Sequence, residues 1–256
     1  ANLQLLREGR ADLAFVQGGT AVLEAEDHEQ LRSLGSLFVE PLWLFYRTQA
    51  VRRSTPAGRL DALPQLRGLR VNVGTEGSGV PILMDKLLDA NHMQASDLRL
   101  SRLEQTPATV AFLDGKIDVL VFASAPESPM VQMLLQTPGV RLMDFPQNEA
   151  YGRRFPFLTP VTLPRGVVDL AGNVPANDVR LVASTTSLLT RADTHPALLQ
   201  LFAQHAQTLH SGAGWFNRAR EFPSTRHSEL EIAPEADRAI NEPVPLLQRY
   251  LPFWLA

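Results

Sequence analysis

Leu69-Arg70-Val71-Asn72-Val73-Gly74-Thr75-Glu76-Gly77-Ser78-Gly79-Val80 is the stretch on which the fold class turns. Its first five residues alternate apolar and polar side chains, the period of a half-buried strand. Three glycines with Thr and Ser follow, and residues 80–90 then carry the apolar spacing of an amphipathic helix. Strand, glycine loop and helix in that order make half of an α/β unit. The same grammar returns on either side. Asn2-Leu3-Gln4-Leu5-Leu6-Arg7-Glu8 reads as the end of a helix closed by Gly9, and Leu13-Ala14-Phe15-Val16 as a strand. Thr106-Pro107 reads as an N-cap with Pro at N1, residues 108–114 as a helix, Gly115 as its C′ residue and Val119-Leu120-Val121-Phe122 as a strand. Gly9-Arg10-Ala11-Asp12-Leu13 therefore aligns with Gly115-Lys116-Ile117-Asp118-Val119. Such an echo is either ordinary helix-to-strand capping or a duplicated architecture.

Elsewhere the pattern predicts one or two strands over residues 35–48, a Pro-containing linker over 52–64, a helix over 130–136 and a strand over 140–145. Residues 148–174 read as loop-rich, 179–184 as a strand and 196–210 as a strongly periodic helix. A C-terminal helix is expected to stop at Leu251-Pro252-Phe253-Trp254. Alternating β and α elements predict a parallel-dominated sheet with helices on its faces, and 256 residues accommodate two such lobes.

Composition narrows the function. Lys and Arg number 24 against 27 Asp and Glu, a net charge of −3 that offers no positive field for a polyphosphate backbone, so no nucleic-acid partner is expected. The absence of cysteine excludes disulfides, thiolate metal sites and cysteine nucleophiles. No apolar run reaches the roughly 18 residues of a membrane span, since even residues 37–46 contain Glu40 and Pro41.

Several catalytic motifs fail on inspection. Gly74 and Gly79 have the glycine spacing of a Walker A loop, but Val80-Pro81 stands where Lys and Ser/Thr would meet phosphate and Mg²⁺. No G-x-G-x-x-G or G-x-S-x-G frame exists here, and the six histidines include no i,i+4 pair, so neither a cofactor nor a metal site is expected. No acid/base pair emerges among the carboxylates. A loop of Gly, Thr and Ser entering a helix does present unpaired N–H groups, hydroxyls and the positive end of a dipole, which suit a small carboxylate. A capped helix without ligand is the alternative. Arg153-Arg154 reads as an anion site or a solvated basic loop, and Trp43, Phe45 and Tyr46 as strand core.

Taken together, Asn2-Leu3 through Phe15-Val16-Gln17-Gly18-Gly19, Glu40-Pro41-Leu42-Trp43-Leu44-Phe45-Tyr46-Arg47, Leu66-Arg67-Gly68-Leu69-Arg70-Val71-Asn72-Val73-Gly74 with Ser78-Gly79, and His195-Pro196-Ala197-Leu198-Leu199 resemble the TAXI-type solute-binding proteins of tripartite ATP-independent periplasmic (TRAP) transporters. The resemblance implies an α/β, type II periplasmic-binding-protein fold, two α/β lobes with a ligand cleft between them. Residues 1–64 and 178–256 would form lobe 1, lacking its N-terminal part, and 65–177 lobe 2, with hinges near 51–64 and 158–180. It implies a periplasmic, non-enzymatic subunit that captures a small carboxylate, a dicarboxylate or acidic amino acid, and hands it to membrane permease subunits. Family members place a strand, a helix and a second strand before the position of Ala1, and Tyr250-Leu251-Pro252-Phe253-Trp254-Leu255-Ala256 resembles a lead into a membrane-associated C-terminal region, so a membrane anchor beyond this chain is an expectation.

Carried over by position, the ligand-binding residues are Gln17, Gly18 and Gly19 from one loop, Thr75, Ser78, Gly79 and Val80 at the helix start, and Phe122 and Ser124, with Ala123, after the echoed strand. Ser78 is expected to act as cap and ligand donor at once, and Gly79 to let a ligand approach the backbone. The alternative is the effector-binding domain of a LysR-like transcription regulator, distinguished by a helix-turn-helix upstream of residue 1. A transferase such as porphobilinogen deaminase shares the fold but needs a cysteine for its cofactor.

Overall fold

A computed structural model describes residues 2–20, 23–52, 55, 57–226 and 228–242. The strands in chain order are β1 Leu13–Gln17, β2 Leu31–Arg47, β3 Arg70–Asn72, β4 Arg99–Ser101, β5 Val119–Ala123, β6 Val140–Leu142, β7 Leu158–Leu163 and β8 Val179–Arg191. The α-helices are α1 Asn2–Arg7, α2 Ala25–Gln30, α3 Thr48–Val51, α4 Gly79–Ala90, α5 Gln105–Leu113, α6 Pro129–Gln136, α7 Asn148–Arg154, α8 Pro196–His210 and α9 Pro234–Asn241. The expected stop of the C-terminal helix, at residues 251–254, lies outside the described residues.

Two compact units form, one from Ala1–Val16, Ala21–Phe38 and Thr186–Ala256, the other from Gln17–Thr20 and Val39–Thr185. The chain passes from one to the other at 16/17 and 20/21 and again inside β2 and β8, whereas the sequence reading sets the lobe boundaries at 64/65 and 177/178. Both stretches read as hinges, 51–64 and 158–180, lie within the second unit. In the second of them Pro160 sits inside β7, which pairs with β8.

In the first unit, Leu34, Leu37, Leu188, Leu199, Ala203 and Ala206 close a core under α8 and α9, while Leu3, Leu6, Leu31, Leu189 and Leu230 close another under α1. Arg7 grips Asp27 through Nε at 2.9 Å and Nη2 at 2.6 Å, joining α1 to α2. The hydrogen bonds from Arg7 outweigh burial and hold the Asp27 carboxyl below its ordinary range.

In the second unit, β3 runs parallel to both β4 and β5, and β2 runs antiparallel to β5 and β6. The parallel-dominated expectation is thus corrected: the parallel core is β4-β3-β5, and the long strands β2 and β8 bring antiparallel partners. Trp43, Phe45 and Tyr46 are buried, as the strand-core reading expects. The region read as loop-rich holds α7 and β7. The stretch read as one or two strands is a single strand from Leu31 to Arg47, with Thr48 opening α3, and α5 begins at Gln105, its N-cap Glu104 standing two residues before the expected cap and Pro107 inside the first turn. Pro there removes an N–H that has no helical partner anyway, which is why the shift costs little.

The echo has a structural basis. Gly9 and Gly115 adopt φ +66° and +79°, a conformation that favours glycine. Each ends its helix and turns the chain into a strand. Asp118 then ties β5 to β3, accepting from the Arg70 side chain at 2.6 and 2.9 Å and from the Arg70 backbone N–H at 3.0 Å.

Candidate functional site

Because β3 and β5 are parallel, their C-terminal ends share one edge of the second unit's sheet. Open α/β sheets place ligands at that edge. The loop after β3 rises from it through Gly74 at φ +82° and Gly77 at φ +86°, then enters α4 at Gly79. The helix forms because Val80, Pro81, Leu83, Met84, Leu87 and Leu88 line one buried stripe, with Asp85 and Asp89 facing water. Pro81 lacks an N–H, so the first turn offers the amides of Gly79 and Val80, neither of which has a partner among the described residues. Val80 itself is buried.

Ser78 holds the N-cap position, but its hydroxyl donates to the Thr75 carbonyl at 2.8 Å and accepts nothing from the helix. The expectation that it caps α4 through its side chain is corrected. The hydroxyl closes the loop instead, and its proton is committed to Thr75.

The turn Gln17–Thr20 packs against this helix start. An added Cβ on Gly79 would stand 2.6 Å from Thr20 Cγ2 and 3.3 Å from Gln17 Cδ, so the glycine is needed for close approach of the turn. A larger side chain at 79 would displace protein as well as ligand. Gln17 Nε2 donates to Ser184 Oγ at 2.7 Å, the Gly18 N–H to the Thr185 carbonyl at 2.9 Å and Thr20 Oγ1 to the Gln17 carbonyl at 2.7 Å. Lys86 Nζ donates to the Gly19 carbonyl at 2.6 Å and stands 4.8 Å from the centroid of Phe157. Beside the loop, Arg102 and Glu76 form an exposed ion pair at 3.8 Å, worth less than about 1 kcal/mol.

Of the residues expected at a site, the fold therefore brings Gln17 to Gly79, with Gly18 and Gly19 following in the same turn, and joins Thr75 to Ser78. Phe122 and Ser124 reach the same edge by topology. Phe122 is buried and stacked on Phe45 with ring centroids 5.9 Å apart, and the Ser124 carbonyl accepts from Trp43 Nε1 at 3.0 Å. Lys86, Phe157, Thr20 and Ser184 are missed by the sequence reading. Lys86 carried a signal, since it lies seven residues after Gly79 and hence on the same face of α4. Ser184 did not, being 167 residues from Gln17. Arg153 and Arg154 end α7 and are exposed.

Among the described residues no group of His, Asp and Glu could hold a metal ion, and no helix is long and apolar enough to cross a membrane.

A model of the NMT1-like family matches residues 1–202. Among solved structures, a protein of Bordetella bronchiseptica RB50 shares 16% identity over 83% of this chain and 59% of its own, with a TM-score of 0.50. The periplasmic aliphatic sulphonate binding protein SsuA of Escherichia coli shares 16% identity over 80% of this chain and 57% of its own, with a TM-score of 0.48. The regulatory domain of CcmR from Synechocystis PCC6803, in complex with 2-PG, shares 12% identity over 82% and 78%, with a TM-score of 0.48. The chain spans between half and two thirds of the length of the first structures it matches. Its two α/β units have the type II periplasmic-binding-protein fold.

Proposed function

Since this chain belongs to the NMT1-like family, we propose that it is a solute-binding protein that takes up a small carboxylate at the start of α4, without catalysis. The observation that carries the reading is the pair of unpartnered amides, Gly79 and Val80, at the C-terminal edge of the parallel strands, with the Gln17–Thr20 turn against them. A carboxylate there would accept two N–H bonds and meet the positive helix end, worth about 0.3–1 kcal/mol when exposed and up to about 2 when partly buried. Several hydrogen bonds must supply the rest: Thr75 in the same loop carries a hydroxyl, whereas the Gln17 amide donates to Ser184 and turns its carbonyl oxygen toward Gly79.

The finer assignment is the TAXI type of a TRAP transporter, with a dicarboxylate or acidic amino acid as solute, a periplasmic location and membrane permease subunits as partners. It is supported by the ordered segments that resemble that family and by the site's chemistry.

A ligand that binds only the folded state stabilises it by about 2.7 kcal/mol at a hundredfold excess over Kd. For a chain of this size that is a rise of roughly 5–10 °C in Tm. A thermal-shift screen of dicarboxylates, acidic amino acids and sulfonates checks it. No rise with any carboxylate counts against the reading, and a rise confined to sulfonates replaces the carboxylate assignment.

A further inference from the structure

The Gln17–Thr20 turn is gripped at three successive residues: Gln17 by Ser184, Gly18 by the Thr185 carbonyl and Gly19 by Lys86. The first two partners belong to β8. Lys86 belongs to α4 itself, so its hydrogen bond ties the turn to the helix that offers the free amides. The half-buried ammonium is further fixed over the Phe157 ring, the same ring that lies against Gly19. We propose that Lys86 is a positioning residue that seats the Gln17–Thr20 turn on the start of α4 and so sets the geometry in which a small anion meets both. Its consequence for binding rests on the solute-binding reading above, whereas the seating of the turn does not.

A solute that needs the turn in place binds with an affinity reduced by the fraction of molecules in which the turn is seated. Loss of a hydrogen bond from a charged donor unseats it about tenfold or more often.

The chain contains no cysteine, so Lys86→Cys introduces a unique thiol. Alkylated in denaturant and refolded, it takes either an aminoethyl group, which restores an ammonium at lysine's reach, or a neutral carboxamidomethyl group. Both products carry a side chain of similar size and differ in charge. Amide exchange of the 17–20 segment should be about tenfold faster in the carboxamidomethyl protein than in wild type and should return to the wild-type rate in the aminoethyl protein. Succinate affinity, measured by calorimetry on the same samples, should fall about tenfold and recover in parallel. Equal exchange in wild-type and carboxamidomethyl proteins overturns the seating role. Faster exchange with unchanged succinate affinity overturns the positioning role. If wild type binds no succinate, the carboxylate reading loses its support, and the exchange comparison alone decides whether Lys86 seats the turn.

Discussion

Gly19→Ala is expected to lower the free energy of unfolding by on the order of 2–5 kcal/mol, a large effect for one methyl group. Gly19 sits at φ +75°, where an L side chain costs about 1–2 kcal/mol. The added Cβ would also stand 2.6 Å from Phe157 Cγ, and overpacking of that kind costs about 1–3 kcal/mol. Gly68 supplies the control. Its φ is +76°, and nothing lies within 4 Å of an added Cβ, so Gly68→Ala incurs the conformational cost alone. Denaturant melts of the two variants isolate the collision with Phe157. Phe157→Leu in the Gly19→Ala background should recover part of the loss, and equal losses for the two glycine variants would show that the ring does not press on the turn.

Asp118→Asn is expected to cost roughly 2–3 kcal/mol at neutral pH. Asp118 is buried between β5 and β3, and removing one partner of a buried pair costs about 3–5 kcal/mol. The figure here is reduced because the Arg70 side chain is 42% exposed and water can take over its charge. Burial pushes the Asp118 carboxyl up, but hydrogen bonds from the Arg70 side chain and backbone, with the charges of Arg70 and Arg47, outweigh it and hold the group below its ordinary range. A carboxyl lowered in the folded state adds stability that is complete above its unfolded pKa of about 3.9 and is lost as pH falls through the folded value. The stability gap between wild type and Asp118→Asn should therefore be constant near neutrality and shrink below about pH 4. Melts across that range check it, and a gap that widens on acidification would reverse the assigned sign. Because Asp118 holds together the two strands whose ends carry the site, the variant should also weaken solute binding.

How far the sequence reveals this protein depends on the range of the interaction concerned. The loop 74–80 is legible because its strand, glycines and helix are neighbours in sequence, and α8 emerges with the bounds its periodicity predicts. The Gly9 and Gly115 turns are legible because positive φ selects glycine locally. Pairings between distant segments are not. The antiparallel partnership of β2 with β5 leaves no local mark, and the prolines around 160 disguise β7 as loop because an edge strand can spare an N–H. At the site, the Gln17, Gly18 and Gly19 positions came from a resemblance, and their neighbours Lys86, Phe157 and Ser184 became visible once the chain was folded. Ser78 illustrates a residue type read correctly and a hydrogen bond read wrongly: both a cap and a loop closure favour Ser there, and the fold uses the second.

Binding of a small carboxylate at the amides that open α4 is open to direct observation. Amide ¹H–¹⁵N spectra recorded during a titration with succinate test it most directly, because an N–H that gains a charged acceptor moves strongly downfield. Saturable downfield shifts of the Gly79 and Val80 amides are expected, with smaller shifts for Gly18 and Gly19 in the adjoining turn. Saturable shifts elsewhere with these four amides unmoved would contradict it.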